Sequence, residues 1–174
     1  MSMPAIVLHV CCAPCASACL ERLALEGFRA VLFFSNANIA PRAERDHRLH
    51  EVFRLAKLSN SRLEVDDIGH ETWLEHVAGL ENAPEGGERC RRCFAFNLER
   101  TRRLAEDLGL PFTTSLTVSP HKSSARIFEV GSVFPGFQPW NFKKRDGFKR
   151  SLELSRHFGF YRQNYCGCEF SRRE

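Results

Sequence analysis

The 174-residue chain has no apolar run long enough to cross a membrane. Its opening residues, MSMPAIVLHVCC, lack the basic n-region of a secretory signal, and Ala5–Val10 is too short an apolar core for one. The expected location is the cytoplasm, with no membrane partner. Internal repeats and low-complexity linkers are also missing. Charge of one sign is not in great excess: 25 Lys and Arg stand against 21 Asp and Glu, a formal net charge of +4. That surplus does not by itself require a nucleic-acid partner; the placement of the basic residues matters more. With 43% hydrophobic and 26% charged residues, the composition is globular rather than disordered or fibrous. The length suits one domain spanning residues 1–174.

The pattern of apolar runs predicts alternating strands and helices. Ala5–Val10 and Ala30–Phe34 read as buried strands. Pro14 can open a helix, Ala16–Leu25 can continue it and Gly27 can stop it. A turn over 35–41 precedes a helix from about Arg42 to Leu58. Leu63–Val65 reads as a short strand, Glu71–Val77 as a helix and Gly79–Glu88 as a loop. A long helix is expected from Cys90 to Leu108, ended by Gly109, then a strand over Phe112–Val118 and a short helix over Ser151–His157. This order implies a single-domain, Rossmann-like α/β fold with a parallel sheet. Residues 131–140 carry too much Gly and Pro for a regular element. The segment beyond them is too short to fold alone, so about 131–174 reads as a loop or lid on the same domain.

One absence bears on function. In HVCCAPCAS, the turn after the first strand, there is no glycine, whereas folds of this kind that bind ATP place a Gly/Ser-rich, phosphate-cradling loop there. Nucleotide binding at this turn is disfavoured. Cysteine takes glycine's place. The chain has eight cysteines, as Cys11/Cys12/Cys15/Cys19, Cys90/Cys93 and Cys166/Cys168. In a reducing compartment such clusters read as metal ligands or catalytic thiols, not structural disulfides. Cys11 and Cys12 fall at a carboxyl strand end, where open α/β sheets bind ligands. Cys15 lies in the first helical turn, where the dipole favours thiolate. Cys19 is read as a small buried hydrophobe. Cys90 and Cys93 form C-x-x-C, open to a thioredoxin-like pair or half a metal site; with Cys11 and Cys12 they offer four thiolates, suited to zinc or an iron–sulfur cluster. C-G-C at Cys166 and Cys168 favours a redox dithiol able to close a strained, reducible disulfide, with Gly167 permitting the turn.

The basic residues form three groups. Arg89/Arg91/Arg92 is the first. Arg100/Arg102/Arg103 is read as a solvated helix face, partly neutralised by Glu99 and Glu106. Lys143, Lys144 and Arg145 with Lys149 and Arg150 are interleaved with Trp140, Phe142 and Phe148, a pattern suited to phosphate contact and base stacking. His9 is either a group that tunes the cysteine site or a satisfied core histidine. His121 and Lys122 should face the site, for proton delivery or phosphate contact, unless they serve only the loop.

Taken together, LHVCCAPC (8–15), N-x-N-I-x-P (36–41), GERCRRCF (87–94), LERTRRLAEDLG (98–109), TVSPHKS (117–123) and YRQNYCGCEFS (161–171) resemble the QueH family of epoxyqueuosine reductases. The segments span nearly the whole chain, and their joint occurrence is specific where each alone is weak. The resemblance implies an adenine-nucleotide-hydrolase type of fold, without ATP use and with helices on both faces of the sheet. It implies reduction of epoxyqueuosine to queuosine at the wobble position of tRNA, the last step of that modification. It implies a [4Fe–4S] cluster held by Cys11, Cys12, Cys90 and Cys93, a redox-active Cys166–Cys168 pair, and in family members a second, mononuclear metal for which Cys15 is the candidate ligand. It names no electron donor. The segment DDIGHETW (66–73) departs from the family's more acidic run before Trp73, with Gly69 and His70 in its place. The competing readings are a non-catalytic, zinc-stabilised tRNA-binding module and a plain thiol–disulfide oxidoreductase.

Overall fold

The computed structural model describes residues 2–172. The elements run β1 (Ala5–His9), α1 (Ala13–Leu25), β2 (Arg29–Phe34), α2 (Arg42–Ser59), β3 (Leu63–Val65), α3 (His70–His76), α4 (Glu88–Leu108), β4 (Phe112–Thr114), α5 (Ser124–Gly131) and α6 (Gly147–Phe158). The four strands form one parallel sheet in the order β3-β2-β1-β4. Leu8 is in register with Leu32 of β2 and Thr113 of β4.

Strand side chains alternate between faces, so the sheet divides the core in two. Ile6, Leu8, Leu32 and Phe34 pack with Ala16 and Leu23 of α1, Val52 and Leu55 of α2, and Phe148 and Phe158 of α6. Val7, Val31, Phe33 and Phe112 pack with Phe94, Leu98 and Ala105 of α4 and Ile127 and Val130 of α5. Both faces are covered, which is why β1 and β2 read as unbroken apolar runs. The expected α/β class, with helices on both faces, is the one observed.

Two elements differ in kind from the sequence expectation, and α6 begins at Gly147 rather than at the expected Ser151. The strand expected over Phe112–Val118 stops at Thr114, whose hydroxyl accepts the Leu116 N–H at 3.1 Å and turns the chain into a 3-10 helix over Ser115–Val118. The helix α5 was not anticipated. Ser123 caps it by accepting the Arg126 N–H at 3.2 Å. Its last residue, Gly131, lets the Phe137 ring lie where a β-carbon would stand. The stretch 131–140 otherwise holds no helix or strand, as its Gly and Pro content implies.

The sheet order reverses between β1 and β4, and their carboxyl ends open the crevice in which such folds bind ligands. One ion pair fixes the flank of that crevice. Asp66, just past β3, accepts Ser35 Oγ from the end of β2 at 2.8 Å and both arms of Arg100 from α4 at 2.7 and 2.8 Å. Arg102 and Arg103 pair with Glu99 and Glu106 on the solvated face, but Arg100 does not belong with them. Burial pushes the Asp66 carboxyl up, and the hydrogen bonds from Arg100 and Ser35 outweigh it, leaving its pKa below the ordinary value. Such a carboxyl adds stability above its unfolded pKa of about 3.9 and loses it as pH falls through the folded value. Asp66→Asn is therefore expected to cost about 2 kcal/mol at neutral pH. It should also flatten the acid limb of stability below roughly pH 4; urea unfolding across pH measures both.

Candidate active site

The end of β1 delivers Cys11 and Cys12 into the crevice. Cys12 stands at the N-cap of α1, with Pro14 in the first turn and Cys15 one turn along. The sulfurs of Cys11, Cys12 and Cys15 all lie within 4.8 Å of one another. Among the described residues this is the only such group of three His, Cys, Asp or Glu. The Cys11 and Cys12 sulfurs are 3.8 Å apart, about the ligand–ligand separation set by metal–sulfur bonds of ~2.3 Å in a tetrahedron. Ser115, beyond β4, accepts the Cys11 backbone N–H at 3.0 Å and donates to its sulfur at 3.2 Å. Hydrogen bonds from Cys11 and Cys15 hold the Cys12 thiol well below the usual range, whereas Cys15 is pushed well above it as their donor. Thiolate is the ligating form, so this donor set fits a metal. Cys19 is fully buried in the core, as expected, and burial pushes its thiol up.

The other two cysteine pairs approach from separate elements. Cys90 and Cys93 lie in the first two turns of α4. Neither joins the three-sulfur group at its separation. Cys90 accepts the Gly86 N–H at 3.2 Å and packs against the same apolar layer as Cys11. Cys93 belongs to a small cluster with Trp73, Cys166 and Cys168. Burial pushes its thiol up to about 12, with Cys166 and Cys90 close enough to add to the shift.

The segment carrying Cys166 and Cys168 is fastened over α2. Arg48, buried, donates to the carbonyls of Cys166 and Tyr165 at 2.9 and 3.1 Å and to Glu44 at 2.8 Å. Its guanidinium lies over the Tyr165 ring. The Ala40 N–H donates to Gly167 O at 2.9 Å, and the Tyr161 hydroxyl donates to Glu44. Gly167 has φ +117°, and a β-carbon there would meet Ile39 at 2.7 Å and Arg48 at 3.2 Å. Both thiols are free. A hydrogen bond from Cys168 draws the Cys166 thiol well down, helped by Ser171, whose hydroxyl lies 2.9 Å from its sulfur, and by Lys122; Cys168, as donor, is pushed up.

Lys122 links the groups. Its charge favours the thiolates of Cys11, Cys93 and Cys166. Burial lowers its own pKa, and the surrounding thiolates more than compensate. His9 is the satisfied core histidine of the two alternatives: fully buried, with Nε2 donating to Ser35 O at 3.0 Å and Nδ1 2.9 Å from Thr114 Oγ1. His121 is exposed. His70, in the segment that departs from the family pattern, lies 2.6 Å from Ala37 O and 2.7 Å from Glu169. Beside it runs a cleft of about 290 Å³ lined by residues including Ile39, Arg45 and His70. Arg48, Glu44 and Ser115 had no signal in the sequence beyond an i,i+4 acid–base spacing on α2.

The five basic residues read as an RNA patch are unequal. Lys143 donates to Lys122 O and Ser124 Oγ at 2.6 and 2.8 Å. Arg145 pairs with Glu26, and Arg150 with Glu21 and Glu153. Lys144 and Lys149 are exposed and form no ion pair among the described residues. Lys144 lines an open groove with Arg22 and Trp140.

The Arg48 clamp gives two expectations. Arg48→Met takes the donor from two carbonyls and the charge partner from Glu44, at a cost of about 3 kcal/mol. Gly167→Ala adds a clash at positive φ worth roughly 1–3 kcal/mol. In both variants hydrogen exchange should rise over Tyr161–Cys168 while β1 and β2 stay protected.

A family profile described as epoxyqueuosine reductase QueH matches residues 6–174. A Streptococcus pyogenes serotype M1 protein named epoxyqueuosine reductase QueH is 38% identical, covering 97% of this chain and 70% of its own length. The protein of that name from Acinetobacter baylyi is 37% identical, with 97% and 81% covered. The one from Thermotoga maritima is 33% identical, with 97% and 91% covered. With Cys11, Cys12 and Cys15 grouped at the sheet crevice and this likeness running almost end to end, the chain belongs to the QueH family of epoxyqueuosine reductases.

Proposed function

We propose that this chain reduces the epoxide of epoxyqueuosine in tRNA, giving queuosine in the last step of that modification. The observation that carries the reading is one arrangement: a three-sulfur group at the crevice and a free Cys166/Cys168 dithiol, both within reach of the charge of Lys122. The relatives' name supplies the substrate. Converting an epoxide to an alkene and water takes two electrons and two protons. Closing the Cys166–Cys168 thiols to a disulfide releases two of each, so the pair balances one turnover, after which an external donor must reopen it.

The proposed metal centre is a [4Fe–4S] cluster held by Cys11, Cys12, Cys90 and Cys93, with Cys15 as ligand to a second, mononuclear metal. When bound, the cluster would supply one-electron transfer; four cysteine ligands leave its irons no open site, so Lewis-acid help with C–O cleavage would come from the second metal. The chain's own residues do the rest. Ser115 holds Cys11, Lys122 offers a positive charge where the epoxide oxygen would gain negative charge, and residues of about 131–174 cover the cysteines. Contact with tRNA falls to Lys144 and Lys149 within the patch Lys143, Lys144, Arg145, Lys149 and Arg150, since the other three are engaged internally. A second reading, a zinc-stabilised tRNA-binding module, is favoured by the tetrahedral spacing of Cys11 and Cys12.

Anaerobic metal and sulfide analysis separates the two. A brown protein with iron, sulfide and absorbance near ~400 nm supports the enzyme; a colourless protein with stoichiometric zinc refutes it. Cys11→Ser or Cys93→Ser should abolish both colour and turnover on epoxyqueuosine-containing tRNA. Cys168→Ser should keep the cluster and stop turnover, and normal multiple turnover there would sink the dithiol role. Lys144→Glu with Lys149→Glu should weaken tRNA binding and reduce its salt slope by about 2.

A further inference from the structure

Trp73 is fully buried, yet its indole N–H has no hydrogen-bond partner among the described residues. Buried Trp N–H groups usually find an acceptor, and one left without is destabilising. Two rings stack on Trp73: His70, with centroids 5.5 Å apart, and Phe170 at 6.3 Å. Its neighbours in the same buried cluster include Cys93, Cys166 and Cys168. Of these, Cys93 is the thiol whose ionised form the indole favours against burial. Asn97, one turn along α4 and also buried, directs Nδ2 at the same sulfur from 3.9 Å while bonding Asn38 Oδ1 at 3.3 Å. A neutral thiol is a weak acceptor. A metal-bound thiolate is a strong one, and it would give the orphaned indole the partner it lacks.

We propose that Trp73 and Asn97 are positioning residues that donate N–H···S hydrogen bonds to a metal-bound Cys93 thiolate and so raise the reduction potential of the cluster. The proposal rests on the cluster reading given above. Its physical basis is that the positive end of an N–H dipole stabilises the more negative, reduced cluster, so hydrogen bonds to ligand sulfur move the potential upward. A Trp73 that only filled space would leave the potential unmoved when its N–H was deleted and its volume kept.

The test is a redox titration, followed by electron paramagnetic resonance, of the full chain loaded anaerobically with iron and sulfide. The chain has two tryptophans. In a Trp140→Phe background, replacing tryptophan by its benzothiophene analogue therefore deletes only the Trp73 N–H. Trp73→Phe and Asn97→Leu are the genetic counterparts. The expected result is a more negative midpoint potential in each loaded variant than in the Trp140→Phe reference. Loss of iron from an analogue-substituted protein that keeps its fold by circular dichroism also supports the donor role, because only the N–H has gone. Loaded analogue and Asn97→Leu proteins with the reference potential would overturn the proposal and leave the cluster reading standing. A reference protein holding zinc and no sulfide would overturn the cluster reading, and this proposal with it.

Discussion

The guanidinium of Arg48 is the constraint on which the candidate site depends. It is buried, it pairs with Glu44, and its remaining donors go to main-chain carbonyls of the C-terminal segment. A buried arginine is stable only when its donors are met, so the carbonyls of Tyr165 and Cys166 cannot leave without stranding two of them. The dithiol is therefore carried by a loop whose position is fixed by a helix far away in sequence. The same logic holds on the opposite flank. There Asp66 and Arg100 tie the ends of β2 and β3 to α4, the helix that carries Cys90 and Cys93. Two charged contacts thus set how the second and third cysteine pairs stand relative to the first.

Much of the fold was legible because its signals are local. Unbroken apolar runs gave β1 and β2, and Gly27 and Gly109 gave helix ends. Cysteine at the end of β1, with no glycine in the turn, pointed to metal or redox chemistry at the crevice rather than phosphate. The unanticipated parts have different causes. The strand at Phe112 was read too long because its apolar and threonine residues continue past Thr114, whose side chain caps a turn instead of extending the ladder. The helix α5 follows a Ser-Ser pair in which only the first residue is the cap, and it is only eight residues long, too short for its apolar spacing to stand out from the flanking loops.

The site itself was legible by residue type but not by contact. Spacing identified every cysteine cluster, yet nothing in the sequence indicated that Cys93 would stand beside Cys166 and Trp73, or that Ser115 would hold Cys11. Such contacts are made between residues far apart along the chain, where no periodicity operates. The basic patch makes the same point from the other direction. Its five cations look equivalent as letters, but three of them already pair with acids or a carbonyl of the same chain.

The Arg48 clamp has a consequence in time as well as in space. It joins residues 118 positions apart, and loop closure over such a span gains little until the intervening sheet exists. The three cysteine pairs are therefore brought together late, after β1 to β4 have formed their parallel order. A chain still being assembled, or one locally unfolded, offers isolated thiols rather than a centre. Any metal such a scaffold took up would report on the completed fold.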